Sequence, residues 1–383
     1  MFTFNTAKSI VSGAGAIAEL GTLATRTMGT RVAVVTDKGI IASGLLDHAL
    51  KSLEAAGCEA FVFDEVVADP PEAIVLKAVA MAVEAKVQGV VGFGGGSPMD
   101  VAKLVALLAL EKEELAGIYG VGNAKGPRLP LILVPTTAGT GSEVTPISII
   151  TTGAHTKMGV VSPAILPDIA LLDPDLTLSV PPHVTAATGI DAMVHAIEAY
   201  TSASPNNNPL SRALAREALR LLGGAIRTAV KTGSDRAARA DMLTGAMLAG
   251  QAFANSPVAA VHALAYPLGG HYHLPHGLTN ALVLPYVLRF NAPAAATGYG
   301  ELAPILFPDL AGLPLAAAAD AFADRMAGLS LELGLQPRLR DVKVPEADLA
   351  MLAADAMKQT RLLVNNPRPV TEADALAIYR EAW

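Results

Sequence analysis

Apolar positions in the first half of the chain fall into short runs separated by longer, helically spaced ones. Arg31–Thr36 (RVAVVT), Ala60–Phe63, Gln88–Phe93 and Leu131–Val134 are short, β-branched and bounded by turn formers, which predicts buried strands. Between them, Leu45–Ala56, Pro71–Ala85 and Met99–Leu110 carry helical spacing. Strands alternating with helices predict a parallel sheet covered on both faces, with ligands at the carboxyl ends of the strands. Lys8–Val11 makes a poor strand by the same criteria. Past the paired prolines of Leu178–Pro182 (LSVPP) little resembles a strand, and Ala187–Tyr200, Leu210–Leu222, Arg236–Ala254 and Leu315–Leu333 read as helices. The expected organisation is a Rossmann-like α/β dinucleotide-binding domain over residues 1–182 and an all-helical domain over 183–383. A chain of 383 residues is too long for one ordinary core, in keeping with two domains.

Composition narrows the partners. Hydrophobic residues make up 52% and charged residues 16%, yet stretches such as Leu104–Leu110 and Leu129–Val134 fall far short of the roughly 20 residues a membrane span needs. No membrane partner is expected. The start, MFTFNTAKSI, lacks a basic region followed by an apolar core, so no secretory leader is expected there. Cys58 is the sole cysteine, which excludes an internal disulfide and fits a cytoplasmic location. The net charge is −7 and no basic run occurs, which argues against nucleic acid. Small molecules remain.

Two glycine-rich segments compete to bind phosphate. Gly13-Ala14-Gly15-Ala16-Ile17-Ala18 fits G-x-G-x-x-A, and Asp37 follows at the distance of a ribose-binding acid. An alanine-rich chain produces such matches by chance. Gly94-Gly95-Gly96-Ser97-Pro98-Met99-Asp100 lies between a strong strand and a strong helix, where glycines let the backbone approach a pyrophosphate and the helix offers free N–H groups. Pro98 suits an early helical position. The bland alternative is a tight strand-to-helix turn. Pro135–Glu143 (PTTAGTGSE) follows the fourth strand and is dense in hydroxyls and glycine, a polar loop suited to a dinucleotide or an ordinary surface turn. Asp37, directly after a strand, would accept from ribose hydroxyls and repel a 2′-phosphate, favouring NAD over NADP, or would simply cap a helix.

Histidines number eight, and four fall within Val261–Gly277: His262, His271, His273 and His276. Asp191 and His195 stand four apart in GIDAMVHAIEAY, on one helical face. Each group alone has an ordinary reading, a surface hydrogen bond or a solvated loop. Together they make a metal site an even match for those readings. Imidazoles with a carboxylate suit iron(II) or zinc better than magnesium or calcium.

GGGSPMD at 94–100, PTTAGTGSE at 135–143, GIDAMVHAIEAY at 189–200 and HALAYPLGGHYHLPHG at 262–277 together resemble the iron-containing (group III) alcohol dehydrogenases over nearly the whole chain. The resemblance implies a metal held by Asp191, His195, His262 and His276, iron(II) with zinc as the alternative. It implies a phosphate turn at Gly94, Gly95, Gly96 and Ser97 with Asp100 beside it. A threonine loop at Thr136, Thr137 and Thr140, a ribose-side acid at Asp37 and a cofactor-side lysine at Lys157 complete the set. It places Gly13–Ala18 in an N-terminal turn away from the phosphate. The implied activity is NAD-linked interconversion of a small alcohol and its aldehyde or ketone, the metal polarising the substrate oxygen while hydride passes to nicotinamide C4, in a protein that associates with its own copies. The rival activities are a maleylacetate reductase-like enzyme, a zinc polyol dehydrogenase and an idle NAD- or metal-binding sensor. Many members carry a histidine four residues beyond the third ligand, where this chain has Tyr266. Proton transfer is therefore open among Tyr266, His271 and His273.

Overall fold

The computed structural model describes residues 1–153 and 156–383. Two compact units divide the chain: Asn5–Ser179, and Val180–Trp383 together with Met1–Phe4.

Among the described residues the first unit contains nine strands and five α-helices: β1 (Ser9–Ser12), α1 (Leu20–Thr27), β2 (Arg31–Asp37), α2 (Lys38–Ala42), α3 (Leu45–Ala55), β3 (Glu59–Val66), α4 (Glu72–Glu84), β4 (Gly89–Gly94), α5 (Gly96–Leu108), β5 (Gly120–Val121), β6 (Leu131–Pro135), β7 (Ile147–Thr152), β8 (Thr156–Val161) and β9 (Ile169–Leu172). Six strands form a parallel sheet in the order β1-β9-β6-β4-β2-β3. Successive residues of the central strands serve opposite faces. Ala33 and Val35, Val90, and Leu131 and Leu133 enter one core, whereas Val32 and Val34, Val91 and Phe93, and Ile132 and Val134 enter the other. That double burial is why these strands are unbroken apolar runs rather than alternating ones.

The chain leaves β2 for β3 on one side and then returns to β4 on the other. Strand order therefore reverses between β2 and β4, and a crevice opens beyond their carboxyl ends, the usual ligand position in such sheets. Lys8–Val11 overlaps β1, a strand after all. It pairs in parallel with β9 along one sheet edge and stays mostly exposed, so hydrogen bonding supplies what its pattern lacks. A second sheet, β5-β8-β7, contains an antiparallel β7–β8 pair that the sequence reading did not assign.

The second unit is helical: α6 (Pro182–Thr201), α7 (Pro209–Lys231), α8 (Arg236–Asn255), α9 (Ala260–Tyr272), α10 (His276–Leu306), α11 (Leu315–Glu332), α12 (Leu349–Ala356), α13 (Thr360–Leu363) and α14 (Glu372–Ala382). From Thr185 to Tyr200, α6 is buried except at Thr188. A helix apolar on all sides belongs at the centre of a bundle. Its contact with α10 is close, since a Cβ on Gly277 would fall 2.3 Å from the carbonyl oxygen of Ala187. Glycine there brings the start of α10 against α6. Among the described residues no helix is long and apolar enough to cross a membrane.

Candidate metal and cofactor sites

In the first unit, three loops meet at the reversal point. The carboxylate of Asp37, at the end of β2, caps α2 by accepting the Ile40 N–H at 2.9 Å through Oδ1. Its Oδ2 lies 3.6 Å from the position a Cβ on Gly94 would take. Capping thus occupies Oδ1, while Oδ2 lies on the side of Gly94.

Gly94 ends β4 with φ at 149°, and an added Cβ would press to 2.8 Å from Pro98 Cγ. A Cβ on Gly96 would come within 2.9 Å of Thr140 Cγ2, and one on Gly95 within 3.6 Å of Thr137 Oγ1. Thr136 is buried, and its N–H donates to Gly94 at 2.9 Å. Gly95 precedes α5 and provides no side-chain cap, which leaves the N–H groups of the first turn for an anion. A cleft of about 670 Å³ opens here, lined among others by Asp37, Gly39, Asp64, Val67, Gly96 and Ser97. A Cβ at Gly94 or Gly96 would collide with Pro98 or Thr140, so glycine keeps the turn tight, and its uncapped first-turn N–H groups at the edge of this cleft fit a dinucleotide.

Asp100 is committed to the protein itself. Its Oδ1 accepts from Ser142 Oγ at 2.6 Å and its Oδ2 from the Ile149 N–H at 2.8 Å. Lys103, wholly buried, donates to Ser142 Oγ and to the Ile147 carbonyl at 2.8 and 2.6 Å. These bonds fasten the threonine loop to α5. Burial pushes the Lys103 ammonium down from its ordinary range, opposed by Asp100 and Glu143. Burial likewise pushes the Glu143 carboxyl up to about 7, against a backbone hydrogen bond and Lys103. Lys157, on β8, pairs with Asp69.

The competing Gly13–Ala18 turn is filled from within. Asp173 accepts the N–H groups of Gly15 and Ile17, each at 3.1 Å. Its amides do form an anion site, and the anion is the protein's own carboxylate. Sequence reasoning missed Asp173 because it lies 158 residues from Gly15.

In the second unit, Asp191 and His195 stand on α6, His262 in the first turn of α9 and His276 at the start of α10. One donor atom from each lies within 4.8 Å of all the others. Among the described residues this donor cluster includes neither His271 nor His273. Asp191 Oδ1 is 4.0 Å from His262 Nε2 and 3.7 Å from His276 Nε2. Ligands at about 2.1 Å around a tetrahedral ion stand about 3.4 Å apart, so these two distances from Asp191 exceed that spacing by only a few tenths. The Asn280 amide nitrogen lies 2.5 Å from Asp191 Oδ1 and 3.3 Å from each Nε2 of His262 and His276. The donor set fits a divalent borderline metal.

Asp191, His195 and His262 are buried, whereas the His276 side chain is 39% exposed and marks the open side. Burial pushes the Asp191 carboxyl up, yet the three imidazoles and Asn280 outweigh it and hold it below the usual carboxylate range. His195 is stacked between Phe253 and His262, with ring centroids 4.3 and 4.8 Å away. Tyr266, one turn beyond His262, lies 5.8 Å from the His276 ring. His271 Nε2 is 2.6 Å from Asp355 Oδ2, and exposed His273 ends α9 in left-handed conformation, φ 54°. Two further residues escaped the sequence reading: Asn280, and Glu198, whose Oε2 lies 2.6 Å from His262 Nδ1. Both stand at helical spacing from a ligand, Glu198 three residues after His195 and Asn280 four after His276.

One unit built on a parallel sheet with a glycine-rich turn, and a helical unit carrying one carboxylate and three imidazoles, are the features of a metal-dependent, nucleotide-linked oxidoreductase. Residues 7–174 match the iron-containing alcohol dehydrogenase family, and residues 185–383 match the C-terminal part of the Fe-containing alcohol dehydrogenase family. The chain is 41% identical to long-chain-alcohol dehydrogenase 1 of Geobacillus thermodenitrificans, over 97% of this chain and 94% of that one. It is 37% identical to 1,3-propanediol dehydrogenase of Klebsiella pneumoniae, covering 97% and 96%. A solved structure of 1,3-propanediol oxidoreductase superposes with a TM-score of 0.96 at 35% identity, covering all of both chains. The chain belongs to the iron-containing alcohol dehydrogenase family, and its reaction is the nicotinamide-linked interconversion of an alcohol with its aldehyde or ketone.

Proposed function

We propose that the chain is an NAD-preferring dehydrogenase of aliphatic alcohols that uses one ion, iron(II) before zinc, held by Asp191, His195, His262 and His276. The observation that carries the reading is the meeting of those four donor atoms within 4.8 Å. When bound, the ion supplies Lewis acidity toward the substrate oxygen and the nicotinamide supplies or accepts hydride. The relatives named for long-chain alcohols and for 1,3-propanediol support an aliphatic substrate.

The chain's own residues hold and select. Gly94–Ser97 and the first turn of α5 take the pyrophosphate, Thr137 and Thr140 wall the turn, and Asp37 Oδ2 takes a ribose hydroxyl and repels a 2′-phosphate. Asp100 contributes by fixing the threonine loop through Ser142, and Lys157 approaches the ribose. Among the three candidates for proton exchange, Tyr266 is favoured by its position against the His276 ring, its hydroxyl passing the proton outward. His271, engaged with Asp355, and exposed His273 would serve only farther along that route. Exposed edge strand β1 supports self-association, and the single cysteine supports a cytoplasmic setting.

Steady-state NADH formation across alcohols, diols and hydroxy acids tests the reading, with the metal-stripped enzyme as control. Turnover of aliphatic alcohols with NAD that vanishes on stripping and returns with iron(II) or zinc is expected. Undiminished turnover after stripping would contradict it.

A further inference from the structure

Glu198 lies outside the ligand set yet is only 5% exposed. With Asp191 and His195 it occupies positions i, i+4 and i+7 of α6, one face of the helix. Its oxygens are divided between two partners on α9. Oε1 accepts the backbone N–H of Val261 at 2.7 Å, and Oε2 lies 2.6 Å from His262 Nδ1. The Val261 N–H belongs to the first turn of α9, whose amides have no partner within the helix, and Ala259 at the N-cap offers no side-chain acceptor. A carboxylate offers acceptors only, so the imidazole must bring its hydrogen to the shared edge on Nδ1. The neutral ring then carries its lone pair on Nε2. Nε2 is the atom facing Asp191 Oδ1 and the Asn280 amide.

The geometry points to Glu198 as a positioning residue that locks His262 in its Nδ1–H tautomer and keeps the Nε2 lone pair turned toward the cation. The same side chain fixes α9 against α6, so one carboxylate sets both the direction and the distance of the third ligand. The inference rests on the four-residue metal site proposed above. Outer partners of metal-bound imidazoles typically govern metal affinity by about 10–100-fold.

Glu198→Gln keeps the shape but offers one acceptor where two donors must be met. Either Val261 loses its partner or His262 turns to the Nε2–H tautomer, with its lone pair facing away from the ion. Metal-stripped wild type, Glu198→Gln, His262→Ala and the double variant would be titrated with zinc against a chromophoric chelator. Circular dichroism would check that each is folded. Glu198→Gln is expected to weaken zinc about 10–100-fold. The double variant is expected to bind no more weakly than His262→Ala, because Glu198 acts through that ring.

Zinc affinity of Glu198→Gln within about twofold of wild type, or losses that multiply in the double variant, would overturn the role of Glu198 while leaving the metal site intact. Wild-type affinity in His262→Ala would remove the site and the inference together. Should Glu198→Gln fail to fold, nitrogen NMR of metal-stripped wild type decides: a bare Nε2 on His262 is expected, and a bare Nδ1 overturns the inference.

Discussion

Asp37, Gly94–Gly96 and Thr136–Thr140 come from loops after three adjacent strands, and what they offer a ligand is largely backbone and empty space. Asp191, His195, His262 and His276 come from three helices and offer side-chain lone pairs in a mostly buried setting. On the proposed reading, adding atoms would damage the first site and removing them would damage the second. That asymmetry follows from the ligands: a pyrophosphate needs close approach to N–H groups, whereas a cation needs donors whose direction is fixed.

Removal at the metal centre gives the largest expected effect. His262→Ala or Asp191→Ala should lower kcat/KM at least about a thousandfold, since several kcal/mol of charge stabilisation at about 1.4 kcal/mol per tenfold is forfeited. NAD affinity, measured by calorimetry, should stay within about twofold. A parallel loss of NAD affinity would break the separation of the two sites.

Addition at the crevice comes next. Gly94→Ala places a Cβ at φ 149° and against Pro98, a strain of about 1–3 kcal/mol. It should lower NAD affinity about tenfold or more while bound metal is retained, and unchanged NAD affinity would argue against the phosphate turn. Asp37→Gly is subtler. It should shift the NADP-to-NAD ratio of kcat/KM about tenfold toward NADP, the equivalent of one lost repulsion of about 1.4 kcal/mol. An unmoved ratio removes Asp37 from ribose selection.

The smallest effect concerns stability. The Glu143 carboxyl, raised by burial to about 7, binds its proton more tightly folded than unfolded. Its contribution is therefore fully present below about 4.5, the unfolded value, and is lost as pH rises through about 7. Glu143→Gln should flatten the fall of the unfolding midpoint between those limits, as differential scanning would show. An unaltered slope would mean the carboxyl titrates normally.

The two regions also differed in how far the sequence disclosed them. Strands β2, β4 and β6 stand where double-sided burial makes apolar runs, β3 at the sheet edge kept a β-branched and aromatic run, and the Gly94 turn is one continuous string between a strand and a helix. Scarce histidines and the helical face shared by Asp191 and His195 pointed to the region of the metal site, whereas the choice of His262 and His276 over His271 and His273 came from the family resemblance. Edge strand β1 escaped because it is held by backbone pairing with β9, and the β7–β8 pair because its alternation is weak and its residues half buried. Helix α10 runs through Pro285, Pro293 and Pro304, which local propensity reads as breaks and packing against α6 and α11 overrides. Asp173 in the Gly13 turn and Glu198 at His262 were hidden for a different reason: each makes its essential contact with residues far away in sequence.

Metal content bears most directly on the central claim. Elemental analysis of anaerobically purified wild type should find one iron or zinc per chain, and the same analysis of Asp191→Ala and His262→Ala should find almost none. Metal near the wild-type level in either variant would contradict the assignment of these four side chains to one ion.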